Sequence, residues 1–192
     1  EQNKRWWWGP SADFTRHHPN GPYPSGMAAA AQQLGMLGFV PGIWLMPFAW
    51  DPLSDTLLDH QDYFLKRADG SLYYAKWAGW CLDVSNPAAH DFLRGALHRI
   101  TQEWGFRYLK LDGLWNGTGA NILYVNDGYV KDDLGEAIAQ DRTKTPIERY
   151  RDGLKLVRRA AGPEVFILGC NVSQNMRTLG ASFGLVDAMR IG

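Results

Sequence analysis

Apolar residues recur along this chain in two rhythms, one helical and one strand-like, and the two alternate. Residues 26–34 are strong helix formers, with Ser25 placed to cap the start and Gly38 placed to end the helix. The apolar run 39–46 follows, irregular at Pro41, and from Gly42 onward it reads as a buried strand of a parallel sheet. Residues 47–83 are polar and aromatic, too long for a plain connection, and are expected to form a functional loop or insertion. A second helix is bounded by Asn86 as N-cap, Pro87 at the first helical position and Gly105 at a left-handed end. Leu93, Leu97, Ile100 and Trp104 give it a buried stripe, and a strand over 106–111 comes directly after it. Thr145-Pro146-Ile147-Glu148 has the capping-box spacing that opens a third helix. Its stripe is Ile147, Tyr150, Leu154, Val157 and Ala161, Gly162 ends it, and strands over 164–169 and 184–190 complete the series.

Alternation of helix and strand builds parallel sheets through right-handed crossovers, which makes the fold class α/β. An open doubly wound sheet and a (β/α) barrel both fit that order. No strand is followed by Gly-x-Gly-x-x-Gly or by a phosphate loop ending in Gly-Lys-Ser/Thr. Polar residues stand instead at the carboxyl ends of successive strands, where barrel enzymes keep their chemistry, so the barrel is favoured. About four strands are legible, whereas a whole barrel takes eight and about 250 residues. The expectation is therefore a partial (β/α)8 TIM barrel, with residues 1–192 a fragment of one catalytic domain. Apolar strand edges left without partners would invite pairing with another chain, so a homo-oligomer stays open.

Composition narrows the partners. Twenty Lys and Arg balance twenty Asp and Glu, leaving no excess charge to bind a nucleic acid or an anionic membrane surface. No stretch approaches the roughly 20 consecutive apolar residues of a membrane-spanning helix, and Glu1-Gln2-Asn3-Lys4-Arg5 does not read as the start of a signal peptide. Cys81 and Cys170 have neither the number of a disulfide framework nor the spacing of a zinc site; a bridge between them stays open. Nine tryptophans are an excess that suits the flat apolar faces of sugars, although most such rings simply pack.

The chemistry concentrates at Asp112. It closes the alternating run Tyr108-Leu109-Lys110-Leu111 and precedes Gly113, a residue that lets another group come close. Lys110, two positions earlier, shares a strand face with Asp112, where its ammonium could hold the carboxylate ionised and donate to a sugar hydroxyl. A plain Lys–Asp ion pair accounts for the same pattern. Asp51 could reach a site from its loop, or be a solvated loop carboxylate, and Asp83 is expected to fix the turn before the second helix. His17, His18 and His60 have no acidic partner at ligand spacing, so no metal site is expected. Trp6, Trp7 and Trp8 could stack on sugar or pack, and Asn116-Gly117-Thr118 and Asn171-Val172-Ser173 fit the glycosylation pattern.

Leu82-Asp83-Val84-Ser85-Asn86-Pro87, a helix, and then Tyr108-Leu109-Lys110-Leu111-Asp112 resemble the α-galactosidase clan, glycoside hydrolase family 36 in particular. Pro24-Ser25-Gly26-Met27, Gly42-Ile43-Trp44, and Leu168-Gly169-Cys170 with 187–192 agree in the same order, so the likeness runs from about Pro24 to the end. The resemblance implies a retaining α-glycosidase barrel, of which this chain would supply the third to sixth strands. It implies that Asp112 is the nucleophile, Lys110 a ligand of the sugar hydroxyls, Trp44 an aromatic wall, Cys170 a residue lining the sugar site, and Arg190 an arginine that binds the sugar and orients the acid/base. The acid/base would stand four residues after Arg190, past Gly192. Gly113-Leu114 departs from the polar residues common after the nucleophile, which leaves galactose and N-acetylgalactosamine both open. The expected substrate is thus an α-galactoside oligosaccharide or glycoconjugate, cleaved by double displacement without metal or organic cofactor. The rival readings are a raffinose-synthase-like transglycosylase and a non-catalytic carbohydrate-binding fragment.

Overall fold

The computed structural model describes residues 14–17, 20–54, 56–75, 79–119, 136–170 and 180–190. Helix α1 (Met27–Met36) leads into strand β1 (Gly42–Leu45). Gly26 rather than Ser25 occupies the N-cap, at φ 89, and no side chain caps this helix. A positive φ at that position suits glycine, so the chain enters the helix one residue later than the hydroxyl of Ser25 would require. Gly38 ends the helix as expected, at φ 84.

The described residues of the segment 47–83 carry secondary structure of their own. They hold β2 (Ala49–Trp50), β3 (Tyr74–Ala75) and β4 (Gly79–Cys81), an antiparallel sheet in the order β2-β4-β3. Its strands alternate strictly: Ala49, Ala75, Gly79 and Cys81 share one face, and Trp50, Tyr74 and Trp80 the other.

Helix α2 (Pro87–His98) starts as the sequence predicts, with the Asn86 side chain accepting from the Ala88 N–H at 2.9 Å. It widens into a π turn over Arg99–Glu103 before Gly105 ends it at φ 79. Strand β5 (Tyr108–Leu111) follows, then helix α3 (Pro146–Ala161), β6 (Phe166–Cys170) and β7 (Ala188–Arg190). Both arms of the Thr145–Glu148 capping box are formed. Ile147 departs from the predicted stripe: it sits on the first turn and is 37% exposed, while Tyr150, Leu154, Val157 and Ala161 are buried.

β1, β5, β6 and β7 form one parallel sheet in chain order, with Trp44 opposite Lys110, Lys110 opposite Leu168, and Cys170 opposite Arg190. Partners in a parallel register share a face, so the sheet has two unlike sides. Leu45, Leu109, Leu111 and Ile167 bury one side against Leu93, Leu97 and Ile100 of the α2 segment and Tyr150, Leu154 and Val157 of α3. Gly169 belongs to that side because a Cβ there would come within 2.8 Å of Met189 Cε. Arg158 clamps α3 to the strand ends by donating to the Val165 carbonyl at 2.9 Å and pairing with Asp187 at 2.6 Å.

Candidate active site

The other side of the sheet carries the polar and aromatic residues singled out above. Trp44 and Lys110 stand in one transverse row, and Asp112, Cys170 and Arg190 stand one step nearer the carboxyl ends of the strands. Five side chains from four adjacent strands thus meet on one face at one end. Trp44, Lys110 and Asp112 are half-buried, Cys170 is buried and Arg190 is exposed.

Both oxygens of Asp112 are engaged. Oδ2 accepts from the indole Nε1 of Trp44 at 3.0 Å, and Oδ1 accepts from the Gly113 N–H at 2.9 Å. The chain leaves that contact through Gly113 in the left-handed region, at φ 59 and ψ 34, where glycine is favoured. No ion pair or hydrogen bond between Lys110 and Asp112 is present among the described residues. The Cys170 thiol lies beside the carboxylate. Burial pushes its pKa up, the charge of Asp112 and a hydrogen bond to it push the same way, and Arg190 opposes them. The Arg190 Nη1 donates to Cys170 Sγ at 3.6 Å, so nucleophile candidate, thiol and guanidinium form one continuous cluster.

The remaining candidates lie elsewhere. The Asp51 carboxylate accepts from the Leu53 N–H at 2.9 Å, closing its own turn after β2, and makes no contact with the cluster among the described residues. Asp83 is buried and structural: Oδ1 accepts from the Ser85 N–H and hydroxyl, and Oδ2 accepts from the Gln140 N–H at 2.7 Å. His60 stacks on Tyr63 at 4.7 Å between ring centroids, and no group of three or more His, Cys, Asp or Glu able to hold a metal occurs among the described residues. Cys81 and Cys170 are both free, and burial raises the Cys81 thiol to about 12. Asn116 is fully buried in a short 3-10 helix and donates to the Gly113 carbonyl at 2.7 Å, so this glycosylation pattern is inaccessible to a modifying enzyme. Trp6, Trp7, Trp8, His18 and the second pattern at Asn171 lie outside the described residues.

Sequence reasoning missed the engagement of Trp44 with Asp112. The signal was present, since the two belong to the same face of neighbouring strands, but reading it required the β1–β5 register. It also missed that Trp44 packs against the cluster of Met46, Ala49, Leu65, Tyr73, Ala75, Cys81 and Ala139, most of whose members come from the segment 47–83.

No family model matches the chain. Among solved structures, the α-galactosidase TtGalA from Thermus thermophilus in complex with stachyose superposes with a TM-score of 0.67 at 24% identity, covering 96% of this chain and 35% of that one. A variant of the family 36 α-galactosidase AgaA from Geobacillus stearothermophilus in complex with raffinose gives a TM-score of 0.60 at 17% identity, over 88% of this chain and 21% of that one. The glycoside hydrolase domain of PelA from Pseudomonas aeruginosa gives 0.58 at 16% identity, over 85% and 55%. The chain therefore spans about a third or less of the two α-galactosidases it matches, and shares with all three a fold. The resemblance to family 36 read from the motifs is met by these neighbours at the level of architecture.

Proposed function

We propose that this chain carries the nucleophile side of the catalytic site of a retaining α-glycoside hydrolase similar to family 36, built on the third to sixth strands of a (β/α)8 barrel. The observation that carries the reading is the meeting of Trp44, Lys110, Asp112, Cys170 and Arg190 on one face at the carboxyl ends of four adjacent parallel strands. Barrel enzymes place their chemistry at that end. The α-galactosidases of like fold were solved with stachyose and raffinose, which supports a terminal α-linked galactose, or N-acetylgalactosamine, as the sugar.

In this reading a carboxylate oxygen of Asp112 attacks the anomeric carbon through an oxocarbenium-like transition state. The bond to the aglycone oxygen breaks, and that oxygen takes a proton from a second carboxylic acid about 5–5.5 Å away. Water then attacks the glycosyl ester, returns a proton to the same acid and frees Asp112. By the resemblance, that acid would stand four residues after Arg190. Lys110, on the same face of the sheet as Asp112, would turn its ammonium donors to sugar hydroxyls. Trp44 offers its ring as a wall, and Arg190 binds the sugar and orients the acid. The Asp51 carboxylate keeps a part in sugar binding only if its turn opens toward the substrate.

A 2-deoxy-2-fluoro galactosyl inactivator, which slows release of the intermediate, tests the assignment in the whole protein. Peptide mass spectrometry should find the stable adduct on Asp112, and Asp112→Ala should lower turnover by several orders of magnitude while sugar binding persists. An adduct on Asp51, Asp83 or Asp187, or substantial turnover by Asp112→Ala, overturns the proposal.

A further inference from the structure

We infer that Trp44 is a positioning residue for Asp112, its indole N–H fixing the orientation of the carboxylate that attacks the sugar; the inference rests on the assignment of Asp112 as nucleophile. A carboxylate at the end of a strand turns about a broad, two-fold terminal torsion, so its backbone alone does not set the direction of its lone pairs. Three groups hold it here: the Gly113 N–H, the Trp44 indole and the Cys170 thiol. The Gly113 N–H reaches Oδ1 from the adjacent residue, whereas the Trp44 Nε1 reaches Oδ2 at 3.0 Å from a different strand, 68 residues away in sequence. The indole from β1 and the Cys170 thiol from β6, which also hydrogen-bonds the carboxylate, tie it to the strands on either side.

The donor is itself held. β1 pairs with β5 so that Trp44 faces Lys110, and the ring packs against a buried cluster made of Met46, Ala49, Leu65, Tyr73, Ala75, Cys81 and Ala139. Ala49, Ala75 and Cys81 come from the small-residue face of the β2-β4-β3 sheet, with Gly79 beside them. The cluster that the ring packs against draws on this small-residue face, and the large residues Trp50, Tyr74 and Trp80 are kept to the opposite face. The insertion over 47–83 is thus a brace: it seats the ring, the ring seats the N–H, and the N–H orients Asp112. An aromatic wall needs only the ring; this arrangement uses the nitrogen as well.

Trp44→Phe keeps an aromatic surface and deletes the donor, so two readouts separate positioning from a structural or stacking role. In the whole enzyme, kcat should fall about 10- to 100-fold with KM changed less than about 3-fold, the pattern of a misdirected reacting group. A rise in KM that accounts for the whole loss of kcat/KM would overturn the inference. Independently of turnover, the indole resonance of 15N-labelled protein that vanishes in Trp44→Phe should shift on acidification as the carboxylate takes up its proton. That titration should be absent in Asp112→Asn. An indole resonance that stays still in the unsubstituted protein, or titrates equally in Asp112→Asn, also overturns it. The spectroscopic arm needs no foldable Trp44 variant beyond assignment, and it tests the contact even if the inactivator finds a nucleophile other than Asp112.

Discussion

The two faces of the four-stranded sheet share a backbone and almost nothing else. On one, Leu45, Leu109, Leu111 and Ile167 are buried under α2 and α3. On the other, the intervening residues Trp44, Lys110 and Leu168 are half-buried, and Asp112, Cys170 and Arg190 continue that face past the last shared row. The alternation of side chains along a strand lets one segment, Tyr108-Leu109-Lys110-Leu111-Asp112, serve both ends at once. The main core lies on the helix side, whereas on the candidate-site side Lys110 and Asp112 are half-buried and Arg190 is exposed, with Trp44 and Cys170 the more deeply packed. Substitutions at the half-buried polar positions should therefore be cheap in stability, and substitutions one residue away should be expensive.

The largest expected effect tests that division directly. Leu111 is fully buried in the core, so Leu111→Ala should destabilise by about 2–5 kcal/mol, read as a shift in the denaturant midpoint. Lys110→Ala, one position earlier, should leave the midpoint within about 0.5 kcal/mol and, under the proposed function, raise KM while lowering kcat. Comparable stability losses for the two would show that the polar face is packed as tightly as the other.

The division was legible in the sequence where it depends on local rhythm. The alternation before Asp112, the Asn86 cap, the Thr145–Glu148 box and the glycines at 38, 105 and 162 were all readable because each is decided within a few residues. What depends on distant partners was not. The strands of the small sheet are two or three residues long, too short to show a period, and exist only through pairing of Ala49 with Cys81 and Ala75 with Gly79. Asn116 looked like a surface acceptor because a three-residue pattern carries no burial; Phe48 and Tyr150 close over its neighbour Gly117, where a Cβ would come within 2.7 and 2.9 Å of their rings. The pairing of Trp44 with Asp112 likewise appears only once the register of β1 on β5 is fixed.

A smaller effect sharpens the polar side. Burial and then the neighbouring Asp112 raise the Cys170 thiol above its ordinary value of 9.0, so less thiolate is present at neutral pH than in a solvated cysteine. Iodoacetamide should modify Cys170 slowly near pH 7 and faster as the pH rises past the ordinary thiol range. Asp112→Asn removes the second and third causes and should speed modification a few-fold at fixed pH, whereas Arg190→Met removes the opposing charge and should slow it. Rates unchanged by both substitutions would mean that the three groups do not sense one another.

The smallest effect belongs to the buried side, through the start of the helix that covers it. Thr145 Oγ1 accepts from the Glu148 N–H at 3.2 Å, and the Glu148 carboxylate accepts from the Thr145 N–H at 2.7 Å. Thr145→Ala should cost about 1 kcal/mol, the usual value of an N-cap, and lower Tm by roughly 2–4 °C for a chain of this size. The backbone hydrogen bond from Thr145, and then its hydroxyl, hold the Glu148 pKa below the ordinary 4.5. A carboxyl group whose folded pKa is depressed contributes stability above the unfolded value and loses it as the pH falls through the folded one. Glu148→Gln should therefore lower the midpoint at pH 7 and make no difference once the pH has fallen through the folded pKa and both states are protonated. A gap that persists unchanged in acid would mean that the capping box stabilises α3 through shape alone, with no part played by the charge.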